Sequence, residues 1–240
     1  MAGIEKVRIA YSDPELIQSL ARFNNHRGGS IRKENLSKYR LNDITPENLK
    51  RSNMVFSFNK SAIPTYQPIN SNNAETDQML FSSRNEDVST NASACYSYIL
   101  FCENTKIVAA VHVGSKHTKD TFHKEMLLFA YANLLKMAPE DPISAYISGR
   151  YFFPGLKFKR AGEEMMRRTR TNLISVVEEL MGSGIKIKEI NIGARYSRQI
   201  FSPMTGEYKT ILNNPATMIR ELITMDPSSF DKFFIQEFKA

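Results

Sequence analysis

Two residues of this 240-residue chain have the types and spacing for covalent chemistry: Cys95 and His112, seventeen positions apart. Cys95 heads an apolar run that ends at Cys102. Glu103-Asn104-Thr105-Lys106 is polar and turn-like, and a second apolar run, residues 107–113, carries His112. Two such runs around a short polar turn read as a β-hairpin. A turn centred on Asn104-Thr105 pairs Cys95 with Gly114 and makes His112 the diagonal neighbour of Cys95 on the same sheet face. A free thiol ionises near pH 8.5, roughly, so a neighbouring imidazole that takes its proton creates the nucleophile. Such a pair needs a third group, a hydroxyl or carbonyl on an adjacent segment, to orient the ring. Ser89 and Thr90, just upstream, are candidates. The competing reading is plain packing: free cysteine is among the most buried residue types, and a histidine at a strand end is often structural.

The surrounding elements must hold this pair. A small-residue segment, Asn91-Ala92-Ser93-Ala94, leads into Cys95. Residues 78–82 read as a short strand, and residues 122–137 have helical apolar spacing through Met126, Leu127, Phe129, Ala130, Leu134 and Leu135. Residues 143–148 form a strand running into Gly149, followed by an aromatic loop at residues 151–155. A long helix is expected over 162–181, with Leu173, Val176, Val177 and Leu180 inward and Gly182 and Gly184 as stop signals. Residues 185–192 alternate as a strand, and residues 198–201 and 207–212 flank the turn Pro203-Met204-Thr205-Gly206. Upstream, Asp13-Pro14-Glu15 and Thr45-Pro46-Glu47 are helix starts, and residues 54–58 suit a strand. Strands and helices alternate, with hairpins at each end, which predicts an α/β sandwich: a mixed sheet with two main helices against it.

Composition bounds the rest. Apolar content of 42% and charged content of 24% suit a soluble globular chain. No apolar run is long enough to span a bilayer, and the N-terminus lacks a secretory apolar region. Two cysteines argue for a reducing compartment, hence a cytoplasmic location, with a secreted effector exported without a cleaved signal as the alternative. The net charge is +7, and residues 1–60 hold eleven Lys/Arg against six Asp/Glu. A basic arm attracts acidic partners. These charges are scattered and lack the interleaved aromatics of a nucleic-acid platform, so no nucleic-acid partner is expected. Residues 60–75, rich in Pro, Asn and Ser, make the best boundary. The expected organisation is a basic N-terminal extension and linker over 1–75, a central domain over 76–212, and a C-terminal helical extension over 213–240.

Other constellations are weaker. Cys95, Cys102, His112 and His117 lack the close cysteine pair of a structural zinc site, and an odd spacing puts the two thiols on opposite strand faces. No metal site is therefore expected. Gly182-x-Gly184 precedes a strand instead of following one, so it is no dinucleotide loop. Arg167, Arg168 and Arg170 read as a solvated helix face, and Met165-Met166 as core.

From about residue 78 to 212 the chain resembles the CheD-type chemoreceptor glutamine deamidases. The resemblance lies in an ordered set of features. A cysteine follows a small-residue segment at the head of an apolar strand, and a histidine stands seventeen residues later. The stretch ISGRYFF covers residues 147–153, Asn172 lies in the helix that runs out into GIK at 184–186, and NIGARYSRQIFSPMTG covers 191–206 with Gly193, Arg198-x-Ile200 and Thr205-Gly206. Where the family usually has glycine just before the cysteine, this chain has Asn91-Ala92-Ser93-Ala94. The histidine strand, His112-Val113-Gly114, is also similar to that of the cytotoxic-necrotising-factor class of toxin deamidases.

The resemblance implies hydrolysis of a protein glutamine side-chain amide to glutamate and ammonia, with no metal or organic cofactor. Cys95 is the implied nucleophile and His112 the base and later acid. The family's third residue, a threonine six positions before the cysteine, corresponds to Ser89. The implied substrate is a bacterial chemoreceptor or, for a secreted effector, a host protein, and a CheC-like regulatory partner comes with the family. A non-catalytic binding module on the same fold, and a transglutaminase-like reaction with an amine in place of water, are the alternatives.

Overall fold

Every residue of the strand Tyr96–Cys102 is buried, and so is every residue of Val108–Val113. Strands without a solvent face need cover on both sides. The computed structural model supplies it in three layers: helices, a nine-stranded mixed sheet and a four-stranded sheet. It describes residues 4–9, 14–23, 36–58, 64–69, 71–92, 95–114, 120–149, 159–192, 197–212 and 236–239.

In chain order the elements are β1 (Lys6–Ile9), α1 (Pro14–Phe23), α2 (Pro46–Arg51), β2 (Met54–Phe58), β3 (Pro64–Gln67), β4 (Asn73–Ala74), β5 (Gln78–Ser82), β6 (Val88–Ala92), β7 (Tyr96–Cys102), β8 (Val108–Val113), α3 (Asp120–Met137), β9 (Ile143–Gly149), α4 (Lys159–Gly182), β10 (Lys186–Ile192), β11 (Ser197–Ser202), β12 (Glu207–Leu212) and β13 (Gln236–Lys239). The main sheet runs β13-β1-β10-β9-β7-β8-β5-β2-β3, and the smaller one β12-β11-β6-β4. Pairs β1–β10 and β10–β9 are parallel, and the remaining pairs of the main sheet are antiparallel. The expected α/β sandwich is therefore present, with α3 and α4 as its two main helices.

Strand alternation divides the core in two. Tyr96, Tyr98, Leu100 and Cys102 of β7, with Ala109, Val111 and Val113 of β8, pack toward the helices among Met126, Leu134, Leu173 and Val177. Ile99 and Phe101, with Val108 and Ala110, face the smaller sheet and meet Val88, Ala74 and Phe201. α4 ends as its sequence foretells. Gly184, at φ +80°, lets its N–H reach Met181 O at 2.9 Å while Ile185 N–H reaches Leu180 O at 3.0 Å, a Schellman motif.

The expected division at residues 60–75 does not separate two structures. β1, β2 and β3 are strands of the main sheet, and Leu16, Leu49 and Phe56 join the helix-side core. Asn133 of α3 donates to Tyr39 O at 2.9 Å and accepts from Leu41 N–H at 2.8 Å, and Lys136 donates to Leu41 O and Ile44 O at 2.9 and 3.1 Å. These bonds satisfy backbone groups that a short irregular segment leaves open, so residues 36–44 are stapled to α3. At the other end, residues 236–239, expected as helix, form β13 antiparallel to β1. The pairing fills what would otherwise be an open edge of the sheet. The aromatic loop at 151–155, most of the loop at 116–121, Gly193 and residues 213–235 lie outside the described residues. Among the described residues, no helix is long and apolar enough to cross a membrane.

The β7–β8 turn is held from outside. Asp141 accepts from Asn104 N–H at 2.9 Å, Thr105 N–H at 2.7 Å and the Thr105 hydroxyl at 2.7 Å. Burial opposes ionisation of Asp141, but these bonds and the nearby Lys106 charge outweigh it and hold the carboxyl below its ordinary value. A depressed carboxyl stabilises the fold fully above the unfolded value of about 3.9 and loses that contribution as the pH falls through the folded value. Asp141→Ala is expected to lower stability by about 1 kcal/mol or less at neutral pH, since solvent screens these exposed bonds, measured by urea unfolding, with the difference from wild type shrinking below about pH 4.

Candidate active site

The hairpin forms in the register the sequence predicts. Tyr96 pairs with Val113 and Ser97 with His112, so Cys95, one step before the strand, lies opposite Gly114. Ser97 and His112 share the sheet face that meets the smaller sheet, and the strand alternation carried one residue back from Tyr96 assigns Cys95 to that face, diagonal to His112. Across that face runs a polar rung with the register Asn191–Ser148–Ser97–His112–Gln78–Ser57. One step further in, the row is Tyr146–Ile99–Ala110–Leu80–Val55. The rung thus marks the border between an apolar interior and the sheet end where the half-buried Cys95 stands.

Two backbone features fix Cys95. Gly149, opposite Tyr96, has φ +151°. A β-carbon there would lie 2.4 Å from Cys95 O and 2.8 Å from Tyr96 Cα, so only glycine fits. On the other side, Gly114 N–H donates to Asp77 Oδ1 at 2.8 Å, tying the end of the histidine strand to the β4–β5 loop.

The imidazole of His112 is buried, and its Nδ1 lies 3.3 Å from Ala74 O. A carbonyl only accepts, so in the neutral ring Nδ1 carries the hydrogen and Nε2 keeps its lone pair. Burial pushes the His112 pKa below its ordinary value, partly offset by the Ala74 carbonyl and by the charges of Asp77 and Glu75. At neutral pH the ring is an unprotonated base. Its Nε2 has no hydrogen-bond partner among the described residues.

The third group differs from the one expected. On β6, Val88 faces the core between the sheets, so Thr90 faces inward and Ser89 outward. The Ser89 hydroxyl donates to Asn73 Oδ1 at 3.1 Å and accepts from Arg198 at 3.2 Å on the far side of the smaller sheet. Ser89 is therefore not brought to the pair. The group bonded to the ring is the Ala74 carbonyl, and Thr90, which pairs with Ala74, carries a buried hydroxyl without a partner among the described residues.

Gln199 stands opposite Thr90 on β11 and is fully buried. Its Oε1 accepts from Ser97 Oγ at 2.8 Å, while its Nε2 has no acceptor among the described residues. Sequence reasoning passed over Ser97, Gln199 and Ala74. Ser97 was within reach, since the hairpin register places it between Cys95 and His112. Gln199 alternates with the apolar Phe201, a signal for an inward face. Nothing in the two-residue strand β4 marks Ala74.

The two thiols have different fates. Cys102 belongs to the helix-side core, and burial with the nearby Asp141 charge pushes it up to about 12, against a smaller opposing effect of Thr105. Neither cysteine forms a disulfide. No family model matches the chain, and no curated protein matches it.

Iodoacetamide at neutral pH is expected to label Cys95 and spare Cys102 in the folded protein, read by peptide mass mapping. Gly149→Ala should destabilise the chain by roughly 2 kcal/mol and slow Cys95 labelling, because the new methyl displaces the Cys95 carbonyl. Equal labelling of both thiols, or an unchanged rate in Gly149→Ala, would contradict this arrangement.

Proposed function

We propose that this chain is a thiol-dependent protein-glutamine deamidase. The observation that supports the reading is the hairpin register, which pairs Ser97 with His112 two residues after Cys95, with the His112 ring oriented by Ala74 O and lacking a partner at Nε2 among the described residues. His112 Nε2 takes the Cys95 proton, and the thiolate attacks the carbonyl carbon of a glutamine side chain. The carbonyl π pair moves to oxygen. As the C–N bond breaks, that pair re-forms the carbonyl and His112 returns the proton to the leaving ammonia. Water, deprotonated by the same imidazole, then cleaves the thioester to glutamate and restores the thiol. Ala74 O keeps the ring in the productive tautomer and stabilises the imidazolium that forms. The chemistry requires no metal or organic cofactor.

The default substrate is the cytoplasmic domain of a bacterial chemoreceptor, with a CheC-like protein as regulator and the cytoplasm as location. A secreted effector acting on a host protein would use the same residues. Peptide mass spectrometry of a chemoreceptor cytoplasmic domain and of a host-cell lysate, each incubated with the protein, tests the reading. Gln-to-Glu conversion is expected with wild type, none with Cys95→Ala, and a rate about 10²–10⁴-fold lower with His112→Ala. Full activity in either variant would sink the assignment.

The pH dependence follows from the lowered His112 pKa. The base form persists below the ordinary imidazole value of about 6.5, so the acidic limb of the rate profile should lie below that value. An acidic limb at or above about 6.5 would show that a different group supplies the base.

A further inference from the structure

We infer that Gln199 is a catalytic residue whose side-chain N–H binds the oxyanion formed when Cys95 attacks the substrate amide. The inference rests on the reading of Cys95 and His112 as nucleophile and base. Of the buried polar atoms without a hydrogen-bond partner among the described residues, His112 Nε2, Thr90 Oγ1 and Gln199 Nε2 belong to the strands around the polar rung. Buried polar groups are nearly always hydrogen-bonded, so three together on facing strands mark a place where a ligand completes the bonds. A primary carboxamide offers one acceptor oxygen and N–H donors. The three atoms offer the complement, namely an N–H donor, a lone pair and a hydroxyl.

Gln199 is the member built as a donor. Its Oε1 accepts from the Ser97 hydroxyl at 2.8 Å, which anchors one end of the carboxamide and leaves Nε2 as the open donor. Ser97 stands opposite His112 and two residues after Cys95, on the same face. The amide therefore reaches from β11 to the residue two positions after Cys95 and opposite His112. When the Sγ–C bond forms, the carbonyl π pair moves to oxygen and the Gln199 N–H donates to that oxygen. The donor is held in place before the reaction and is shielded from water, which is what makes oxyanion donors effective. This supplies a side-chain donor where the segment before Cys95 has no glycine.

The test compares wild type with Gln199→Met, which keeps the volume but has no N–H, and Ser97→Ala, which frees the carboxamide. Two quantities are measured: ammonia release from the glutamine protein substrate, and the rate of Cys95 alkylation by iodoacetamide. Gln199→Met should lower kcat about 10²–10³-fold with KM little changed and the alkylation rate preserved, because thiolate formation does not use the oxyanion donor. Ser97→Ala should lose about tenfold in kcat, also with preserved alkylation. A kcat for Gln199→Met within about threefold of wild type overturns the inference and leaves the deamidase reading intact. Loss of alkylation together with kcat also overturns it, since Gln199 would then be holding the hairpin. A wild type that releases no ammonia and converts no glutamine removes the deamidase reading, and this inference with it.

Discussion

The register of the β7–β8 hairpin is the constraint on which the structure depends. Side chains alternate with period two, so a slip of one residue would send His112 to the helix side and bring Val111 or Val113 in its place. Both faces of this hairpin are buried, and they differ: Tyr96, Tyr98 and Val111 fit among the helices, while Ile99 and Ala110 fit against the smaller sheet. A slip would exchange the two sets and strand His112 in an apolar core. The Asp141 carboxylate, with three bonds to the turn, opposes the same slip from the other end. Gly149 and Asp77 then settle where the chain goes beyond the last paired residues. Rigidity at Cys95 is thus bought by packing far from it.

The smaller sheet does two things at once. Val88, Ala74 and Phe201 close the apolar interior, and one alternation step further along the same strands stand Thr90 and Gln199, facing the polar rung. Ala74 contributes its methyl to the core and its carbonyl to His112. Covering the rung removes water from the imidazole, which lowers its pKa and leaves it a base at neutral pH. The same burial without a neighbouring base pushes Cys102 to about 12 and leaves that thiol inert. Position on the alternation, and not residue type, separates the two cysteines.

The sequence carried the hairpin because a polar turn between two apolar runs is a strong local signal, and the pairing of Cys95 with Gly114 follows from the turn's centre alone. The helices α1, α2, α3 and α4 were legible from caps and apolar spacing. What was not legible shares one physical trait: polar or very short strands paired over long range. β6 reads Val-Ser-Thr-Asn-Ala, a run without apolar alternation, so the choice between Ser89 and Thr90 could not be made from it. Pairing with β11 and β4 decides which of the two faces the larger sheet: Thr90 does, and Ser89 does not. β3 and β4 hide in a Pro- and Asn-rich stretch that reads as a linker, and β13 is defined by its partner β1. Strand identity there comes from the neighbouring edge, which local propensity does not encode.

Three unpartnered buried groups, at about 1–3 kcal/mol each, are a cost that a fold stabilised by these two cores can bear but has no structural reason to keep. Across the middle strands the next row, Ile99–Ala110–Leu80, is hydrocarbon. One row away the chain places a serine, a histidine, a threonine and a glutamine, and it satisfies only part of them. Ser97 is bonded to Gln199 and His112 to Ala74, so each ring or amide is oriented through one atom while the other atom stays open. That division is what preorganisation requires: the bonds that fix direction are made within the fold, and others are left to be made. A purely structural network would be expected to close on itself. This one leaves one atom of the imidazole and one of the carboxamide open.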